Sequence, residues 1–346
     1  MTSGNPWWPV LAVMIAMGSR AGLAEVKAPP ARLLVVTVTA GFRHASISTA
    51  EPVLEHLGRA DGLFHVDFLR MPPGPPQPEA LEQQFAKVFA PESLANFDGV
   101  IFASTTGELP LPDLAGFLAW IKSGKAFIGI HAATDTLNAS DAYIEMIGGC
   151  FAGHPWNAAG EHAFVVHEPG HRVAKMFPER FRWKDEIYQY DLRYEPDNLR
   201  VLVSLDMQGS TPKEPWHVPV SWVREYGKGR VFSTNFGHNE ATWNDPVFQR
   251  HMAEGIAWAL GRFDAPATPN ADVQAAEYLR SVVAAAAAAT GRDADELRAK
   301  ADARIAKDGG WAVGLRPSLL PIRSLKSPEE RAAAYAEVIA TIEAAE

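Results

Sequence analysis

Residues 124–136 read GKAFIGIHAATDT, a short apolar run that ends at a histidine. Positions 126–130 are apolar or glycine, which predicts a strand buried on both faces of a parallel sheet. Small residues follow His131, and Asp135 comes four positions later. In open α/β sheets, ligands bind beyond the carboxyl ends of the strands. The stretch therefore predicts a parallel sheet with His131 at its functional edge.

The same kind of pattern precedes this strand. β-rich runs occupy residues 33–38, 65–69 and 97–103, and helical patterns occupy residues 49–58 and 114–122. Alternation of this kind is typical of βαβ units on a parallel sheet.

Further strand-like runs follow without helices between them, and a helical pattern then closes the domain. The runs are residues 161–166, 182–190, 201–205, 218–224 and 230–235, and the helix is 246–260. Either a mixed sheet or a β layer beside the parallel core would accommodate these strands.

Composition limits the classes of partner. The chain has 346 residues, 47% of them hydrophobic, and a formal net charge of −9. An acidic chain of this kind argues against nucleic acid and anionic membranes, which need a basic surface. Cys150 is the only cysteine, so no intrachain disulfide can form. A small neutral molecule is the expected ligand.

The amino-terminal segment predicts export. Residues 7–17 are apolar, and the sequence Gly22-Leu23-Ala24 resembles the end of a signal peptide, which we place at residues 1–24. An uncleaved anchor is the alternative, and it is disfavoured because a membrane span needs about 20 apolar residues. We expect a periplasmic or secreted protein with no membrane span after signal removal.

The composition changes after the main domain, which we place at residues 30–264. Residues 265–346 are rich in alanine and predict a helical tail, packed loosely or against a partner. A homo-oligomer is one such arrangement. Pro266 and Pro269 resemble a linker, so we expect the domain to fold without the tail.

Several polar side chains follow predicted strands. Because the carboxyl ends of parallel strands meet at one edge, His44, His131 and His238 are expected to converge there. The motifs of dinucleotide-binding, P-loop and serine-hydrolase sites are absent from the sequence. Nucleotide cofactors and serine chemistry are therefore disfavoured.

Five ordered blocks within residues 32–261 resemble the ThuA-like, or trehalose-utilisation, family. They are GKAFIGIHAATDT (124–136), MIGGCFAGHP (146–155), KDEIYQYD (184–191), VPVSWVREYGKGRVFSTNFGHNE (218–240) and WNDPVFQRHMAEGIAWALG (243–261). The resemblance implies a flavodoxin-like three-layer α/β sandwich of the class I glutamine amidotransferase-like kind. Extra β strands and a carboxyl-terminal helical extension would be added to it. It also implies work on sugars, in particular 3-keto-glycosides made by partner dehydrogenases.

Kinship with the amidotransferases indicates what the site lacks. In those enzymes a cysteine on a strand-to-helix elbow is activated by a downstream His-x-Glu pair. Here His131 occupies the elbow, and His238 and Glu240 resemble the pair. Cys150 lies in another loop, so thioester chemistry is excluded, which leaves acid/base or metal chemistry.

The residues support an enzyme that isomerises, epimerises or eliminates a keto-sugar. We expect His131 and His238 to move protons across a crevice, oriented or assisted by Glu186 or Glu240, with His44 and Glu186 on its rim. The candidate substrate-binding residues are His44, Arg43, His154, Asp135, Tyr188 and Glu240.

Two alternatives stay open. In the first, two of the histidines at positions 44, 131, 154 and 238 hold a divalent ion such as zinc together with a carboxylate. In the second, the chain is a non-catalytic periplasmic sugar-binding or assembly protein that keeps the pocket for recognition.

Overall fold

The computed structural model describes residue 1 and residues 29–60, 62–72, 78–191, 193, 198–207, 209–210 and 217–344. Apart from Met1, the predicted export signal lies outside the described residues. No helix in these ranges combines the length and the apolar character that a bilayer crossing requires.

The described strands form one mixed sheet in the order β2-β1-β3-β4-β9-β8-β7-β5-β6. Strands β2, β1, β3, β4 and β9 are parallel, whereas β8, β7, β5 and β6 extend the sheet by antiparallel pairing. The parallel part has the strand order of flavodoxin. The strand bounds are β1 Ala31–Val36, β2 Phe64–Leu69, β3 Gly99–Ala103, β4 Ala126–Ile130, β5 Glu161–Val166, β6 Arg180–Lys184, β7 Arg200–Leu205, β8 Pro219–Tyr226 and β9 Gly229–Thr234.

Helices cover both faces of the parallel strands. Helices α1 and α7 belong to the apolar cluster on one face, through residues such as Leu54 and Met252. Helices α2, α4 and α5 belong to the cluster on the other, through Phe85, Phe117 and Tyr143. The bounds are α1 Ile47–Ala60, α2 Pro78–Val88, α3 Pro91–Leu94, α4 Leu114–Lys122, α5 Asp141–Ile147, α6 Glu240–Asn244, α7 Pro246–Ala259, α8 Ala271–Thr290, α9 Ala294–Lys307, α10 Trp311–Leu319 and α11 Pro328–Glu343. The predicted flavodoxin-like three-layer α/β sandwich is confirmed.

The later strands join the parallel core in a single sheet, so the mixed-sheet alternative is confirmed. The predicted strand at 182–190 is wrong beyond residue 184, because β6 ends at Lys184. Beyond it the chain leaves the ladder, and only isolated bridges at Ile187 and Tyr190 are strand-like. The carboxylate of Asp185 accepts from Gly237 in the loop after β9, and the carboxylate of Glu186 faces His131 at the end of β4.

The tail is helical, and its helices α8–α11 share an apolar cluster of their own. Its attachment to the sheet is close, which differs from the expected loose packing. The side chain of Asn270 accepts from the amide of Val201 at 2.9 Å and donates to the Val201 carbonyl at 2.8 Å. Gln274 donates to the carbonyl of Leu199 at 3.0 Å. The tail thus bonds backbone groups of Leu199 and Val201, at the start of β7, where β5 does not pair because it contacts only residues 203–205.

Candidate functional site

His131 stands on a strained turn at the end of β4. Its φ of 51° lies in the left-handed region, which is uncommon for a residue with a side chain. It opens a short 3-10 turn, His131–Asp135, and its side chain is buried. Nδ1 of His131 lies 2.8 Å from the carbonyl oxygen of Asn235, the residue after β9. This contact directs Nε2 toward the sheet edge.

Three imidazoles meet at this edge. The ring of His44, in the loop after β1, lies 4.8 Å from the ring of His131 between centroids. The ring of His238, in the loop after β9, lies 5.2 Å from each of the other two. His44 is buried and belongs to the triangle, whereas the sequence placed it on the rim.

The loop that carries His238 is fixed by Asp185. The two carboxylate oxygens of Asp185 accept from the backbone amides of Gly237 and Asn239, each at 2.8 Å. Gly237 has a φ of 120°, and an added Cβ would lie 3.2 Å from Ile130, so a side chain would strain this turn. Burial raises the pKa of Asp185 to about 6.

Glu186 completes the cluster. Its Oε2 lies 3.8 Å from Nε2 of His131 and 3.6 Å from Nε2 of His238, and its Oε1 lies 3.3 Å from Nδ1 of His154. One ligand atom each from His44, His131, Glu186 and His238 lies within 4.8 Å of the others. We call these four residues the His/Glu cluster. Three nitrogens and one carboxylate oxygen are a donor set that suits zinc.

Burial keeps two of the imidazoles neutral. It lowers the pKa of His44 to about 4, with smaller contributions from His238 and His154, and it lowers the pKa of His131 well below its usual value. Nδ1 of His44 and Nε2 of His131 have no hydrogen-bond partner among the described residues. A buried polar atom without a partner is costly, so these two nitrogens fit a cation that would accept their lone pairs.

Tyr188 lies against the cluster. Its hydroxyl is 3.4 Å from Nε2 of His44, and its ring centroid is 4.6 Å from that of His131. Burial raises its pKa, with Glu186 as the next contribution, so the hydroxyl stays protonated. The side-chain oxygen of Asn235 accepts from the amide of Tyr188 at 3.2 Å.

Comparison with known proteins bears on this fold and site. The sequence profile of the ThuA family, described as trehalose utilisation, matches residues 32–259. The chain belongs to the ThuA family. The match covers the whole sheet and the His/Glu cluster, and it stops at the end of α7.

Two solved ThuA-like structures resemble this chain. One, from Parabacteroides merdae ATCC 43184, is 19% identical with a TM-score of 0.52, over 68% of this chain and 93% of the other. The second, from Bacteroides uniformis ATCC 8492, is 21% identical with a TM-score of 0.54, over 70% and 95%. At such identities the likeness supports the fold alone. Comparison with curated proteins gave no significant match.

Other predicted site residues of this ThuA chain lie outside the cluster. Arg43 donates to the carbonyl of Thr37 at 2.9 Å. Asp135 accepts from the side chain of Asn138 at 2.8 Å. Glu240 is exposed at the start of α6, and no ion pair joins it to a histidine in the part of the chain that is described.

The remaining predicted residues lie at the cluster. Besides its contact with Glu186, His154 keeps 55% of its side chain exposed. The carboxylate beside His238 is thus supplied by Glu186, whereas the amidotransferase resemblance pointed to Glu240.

Sequence reasoning gave no role to Asp185 or Asn235, which position His238 and His131. Asn235 follows a buried strand directly, and this is the signal that selected His131. Asp185 stands beside Glu186 in the KDEIYQYD block, but nothing in the sequence indicates that it binds backbone amides. Burial raises the pKa of Cys150 to about 11, so its thiol stays protonated, as expected of a cysteine that is not a nucleophile.

Proposed function

We propose that this ThuA protein is a metal-dependent enzyme that acts on keto-glycosides, by elimination or isomerisation. The observation that carries the proposal is the His/Glu cluster, whose four ligand atoms lie within 4.8 Å of one another at the carboxyl edge of the parallel strands. His44, His131, Glu186 and His238 would hold the ion. When bound, a divalent ion such as zinc polarises a carbonyl oxygen and stabilises the charge that develops on it.

A metal accounts for the buried imidazole of His131 better than proton transfer by that residue does. A general base works best when its pKa lies near the working pH. Burial holds the pKa of His131 far below that range, and Nδ1 already contacts a backbone carbonyl. A neutral imidazole with one nitrogen held by a carbonyl and the other free is the usual form of a metal-binding histidine.

The substrate class follows from the chemistry that such a site supports. A carbonyl at C3 of a sugar ring makes the hydrogen at C2 acidic. When a base takes that proton, the glycosidic oxygen can leave from C1 and take up a proton, which gives an enone and a free alcohol. No electrons are exchanged with an outside oxidant. The carbonyl itself must come from a dehydrogenase that oxidises a ring hydroxyl.

Two side chains beside the His/Glu cluster suit the proton steps. Among the described residues, His154 is the imidazole that contacts Glu186 from outside the cluster, and it is open to solvent. We assign it to carry the proton. The hydroxyl of Tyr188 stays protonated and can donate to a sugar oxygen.

The description of the family as trehalose utilisation favours a glucose disaccharide. The experiment is turnover of 3-keto-trehalose, followed by release of glucose, with the native protein, the chelated protein and the protein reloaded with zinc. We expect activity to vanish on chelation and to return with zinc. Unchanged turnover after chelation would contradict the metal. Tight sugar binding with no turnover in any form would favour a binding protein instead.

We also propose that the protein is exported, on the pattern of residues 1–24 alone. The intact mass of the natively expressed protein tests this. A mature chain that begins near Glu25 is expected, and a full-length cytoplasmic species would contradict it.

A further inference from the structure

We infer that Phe42 is a stacking platform for a second sugar ring, beside the ring that reacts at the His/Glu cluster. The inference rests on the proposed function, because it assumes that the cluster acts on a sugar. It adds a positioning residue and a substrate class, namely glycosides whose departing group is itself a pyranose.

Phe42 is unusual in its exposure. The residue is 69% exposed, and among the described residues no other phenylalanine, tyrosine or tryptophan is exposed. Single exposed aliphatic side chains are common, whereas sites for small molecules are typically lined by aromatic rings beside a few polar groups. The large aromatic residues of the core, such as Trp222 and Phe232, are fully buried.

The ring lies directly at the cluster. Its centroid is 4.9 Å from that of His44, with an interplanar angle of 81°. With this contact in place, most of Phe42 is still open to solvent. A group seated over His44 would therefore have Phe42 as its neighbour.

The backbone holds Phe42 in place without help from its side chain. Thr106 accepts from the amide of Gly41 at 3.2 Å and donates from the same hydroxyl to the carbonyl of Phe42 at 2.9 Å. The amide of Ala40 donates to the carbonyl of Thr106 at 2.7 Å. A platform that is fixed before binding loses little conformational entropy when the ligand arrives.

A second aromatic surface contacts the cluster through different residues. Phe151 packs on Tyr188 at 4.4 Å between centroids and stacks with His154 at 6.0 Å and 18°. Tyr188 in turn contacts His44. The aromatic neighbours of the cluster thus include Phe42 and the pair of Phe151 and His154.

A pyranose ring is the ligand that fits this arrangement. Its hydroxyl groups lie around the rim, and the C–H bonds of its axial hydrogens form an apolar face that packs on an aromatic ring. Arg43 does not occupy the place of the second sugar ring, because its guanidinium donates to the carbonyl of Thr37 instead. A sugar with two rings would place one ring at the cluster and the other on Phe42.

The test compares sugar binding by zinc-loaded wild type, Phe42→Ala and Phe42→Tyr, measured by calorimetry with trehalose and with glucose. Trehalose has two rings and no ring carbonyl, so it binds without turnover. We expect Phe42→Ala to weaken trehalose binding about tenfold, as an aromatic contact is worth up to about that factor. Phe42→Tyr should keep the affinity within about twofold, and glucose binding should change little in either variant.

Leu320→Ala is the matched control, since Leu320 is another exposed apolar residue, located in the tail. It should leave both sugars unaffected. Equal trehalose affinity in wild type and Phe42→Ala would overturn the platform while leaving the proposed function intact. Equal weakening of both sugars would place Phe42 at the reacting ring and overturn the second-ring claim. Loss of zinc from Phe42→Ala would mean that Phe42 has a structural role and would overturn the platform. Failure of wild type to bind either sugar would refute the sugar assignment itself.

Discussion

His131 and Asn235 are joined by a contact of 2.8 Å between Nδ1 of the imidazole and the backbone carbonyl oxygen. The contact links the ends of two neighbouring parallel strands, β4 and β9. It settles which nitrogen of His131 is protonated, because a carbonyl oxygen can only accept. Nε2 is therefore a lone-pair donor, 3.8 Å from Oε2 of Glu186. The fold presents this imidazole to the cluster in the form that a cation binds.

Asp185 is predicted to tune metal affinity from outside the His/Glu cluster. Asp185→Ala removes the two acceptors that bind the backbone amides on either side of His238, so that imidazole should be held less firmly. Zinc affinity is expected to fall about 10–100-fold, the usual effect of removing an outer partner. Competition with a fluorescent chelator measures it. Asp191→Ala, which removes a surface partner of Arg193, is the control. Equal loss in both variants would contradict the role of Asp185.

We predict that His154 is needed for catalysis but not for metal binding. His154→Ala removes the imidazole that contacts Glu186 but leaves the four ligands in place. We expect full zinc content and a fall in kcat of about 10²–10⁴-fold on 3-keto-trehalose, as for loss of a general acid or base. A variant that changes only KM would mean that His154 binds substrate without moving a proton.

Buried His251 is predicted to make the fold sensitive to acid. Burial lowers its pKa to about 4, against about 6.5 in the unfolded chain. The unfolded state therefore binds more protons between these values, so stability is complete above about pH 6.5 and falls as the pH drops toward about 4. At about pH 5 the loss from His251 alone is about 2 kcal/mol.

Urea unfolding of wild type and His251→Gln at neutral pH and at about pH 5 checks this. The glutamine variant should lose less stability between the two conditions. An equal loss in both proteins would show that His251 does not titrate in this range.

Tail docking is predicted to matter for stability. Removal of the residues after Ala265 would leave the amide and the carbonyl of Val201 and the carbonyl of Leu199 without their side-chain partners. Asn270→Ala isolates part of this effect, with an expected cost of about 1–3 kcal/mol for buried groups left unpaired. Asn244→Ala, whose amide donates to a carbonyl on an exposed turn, should be nearly neutral. Cooperative unfolding at wild-type stability in the truncated protein would contradict the docking.

The sequence predicts the core of the fold because its strongest signals are local. The strand at 126–130 has the predicted bounds, since a fully apolar run between helical patterns has few alternatives. The edge at which His44, His131 and His238 meet follows from the geometry of parallel strands. The 182–190 prediction failed beyond residue 184. The alternating aromatic residues there fill a hydrophobic core, but their backbone does not pair with a neighbouring strand.

The finer features of the site depend on contacts between distant parts of the chain. Glu186, and not Glu240, lies beside His238 because the 185–190 loop crosses to the end of β9. His44 is buried among His131, His238 and Tyr188, which come from distant parts of the chain. The docking of Asn270 needs the irregular pairing of β7 near Val201, which no local pattern reveals. These are tertiary effects, and sequence periodicity does not encode them.

The most direct test of the central claim is the zinc content of the protein. When wild type is purified without chelator and dialysed against zinc, it is predicted to hold about one ion per chain by elemental analysis, because the described residues bring four ligand atoms together at one place. His131→Ala, which removes a ligand at the centre of the cluster, should hold much less, whereas His167→Ala, outside it, should match wild type. A wild-type protein that binds no divalent ion, or a His131→Ala variant that binds it as tightly as wild type, would contradict the account.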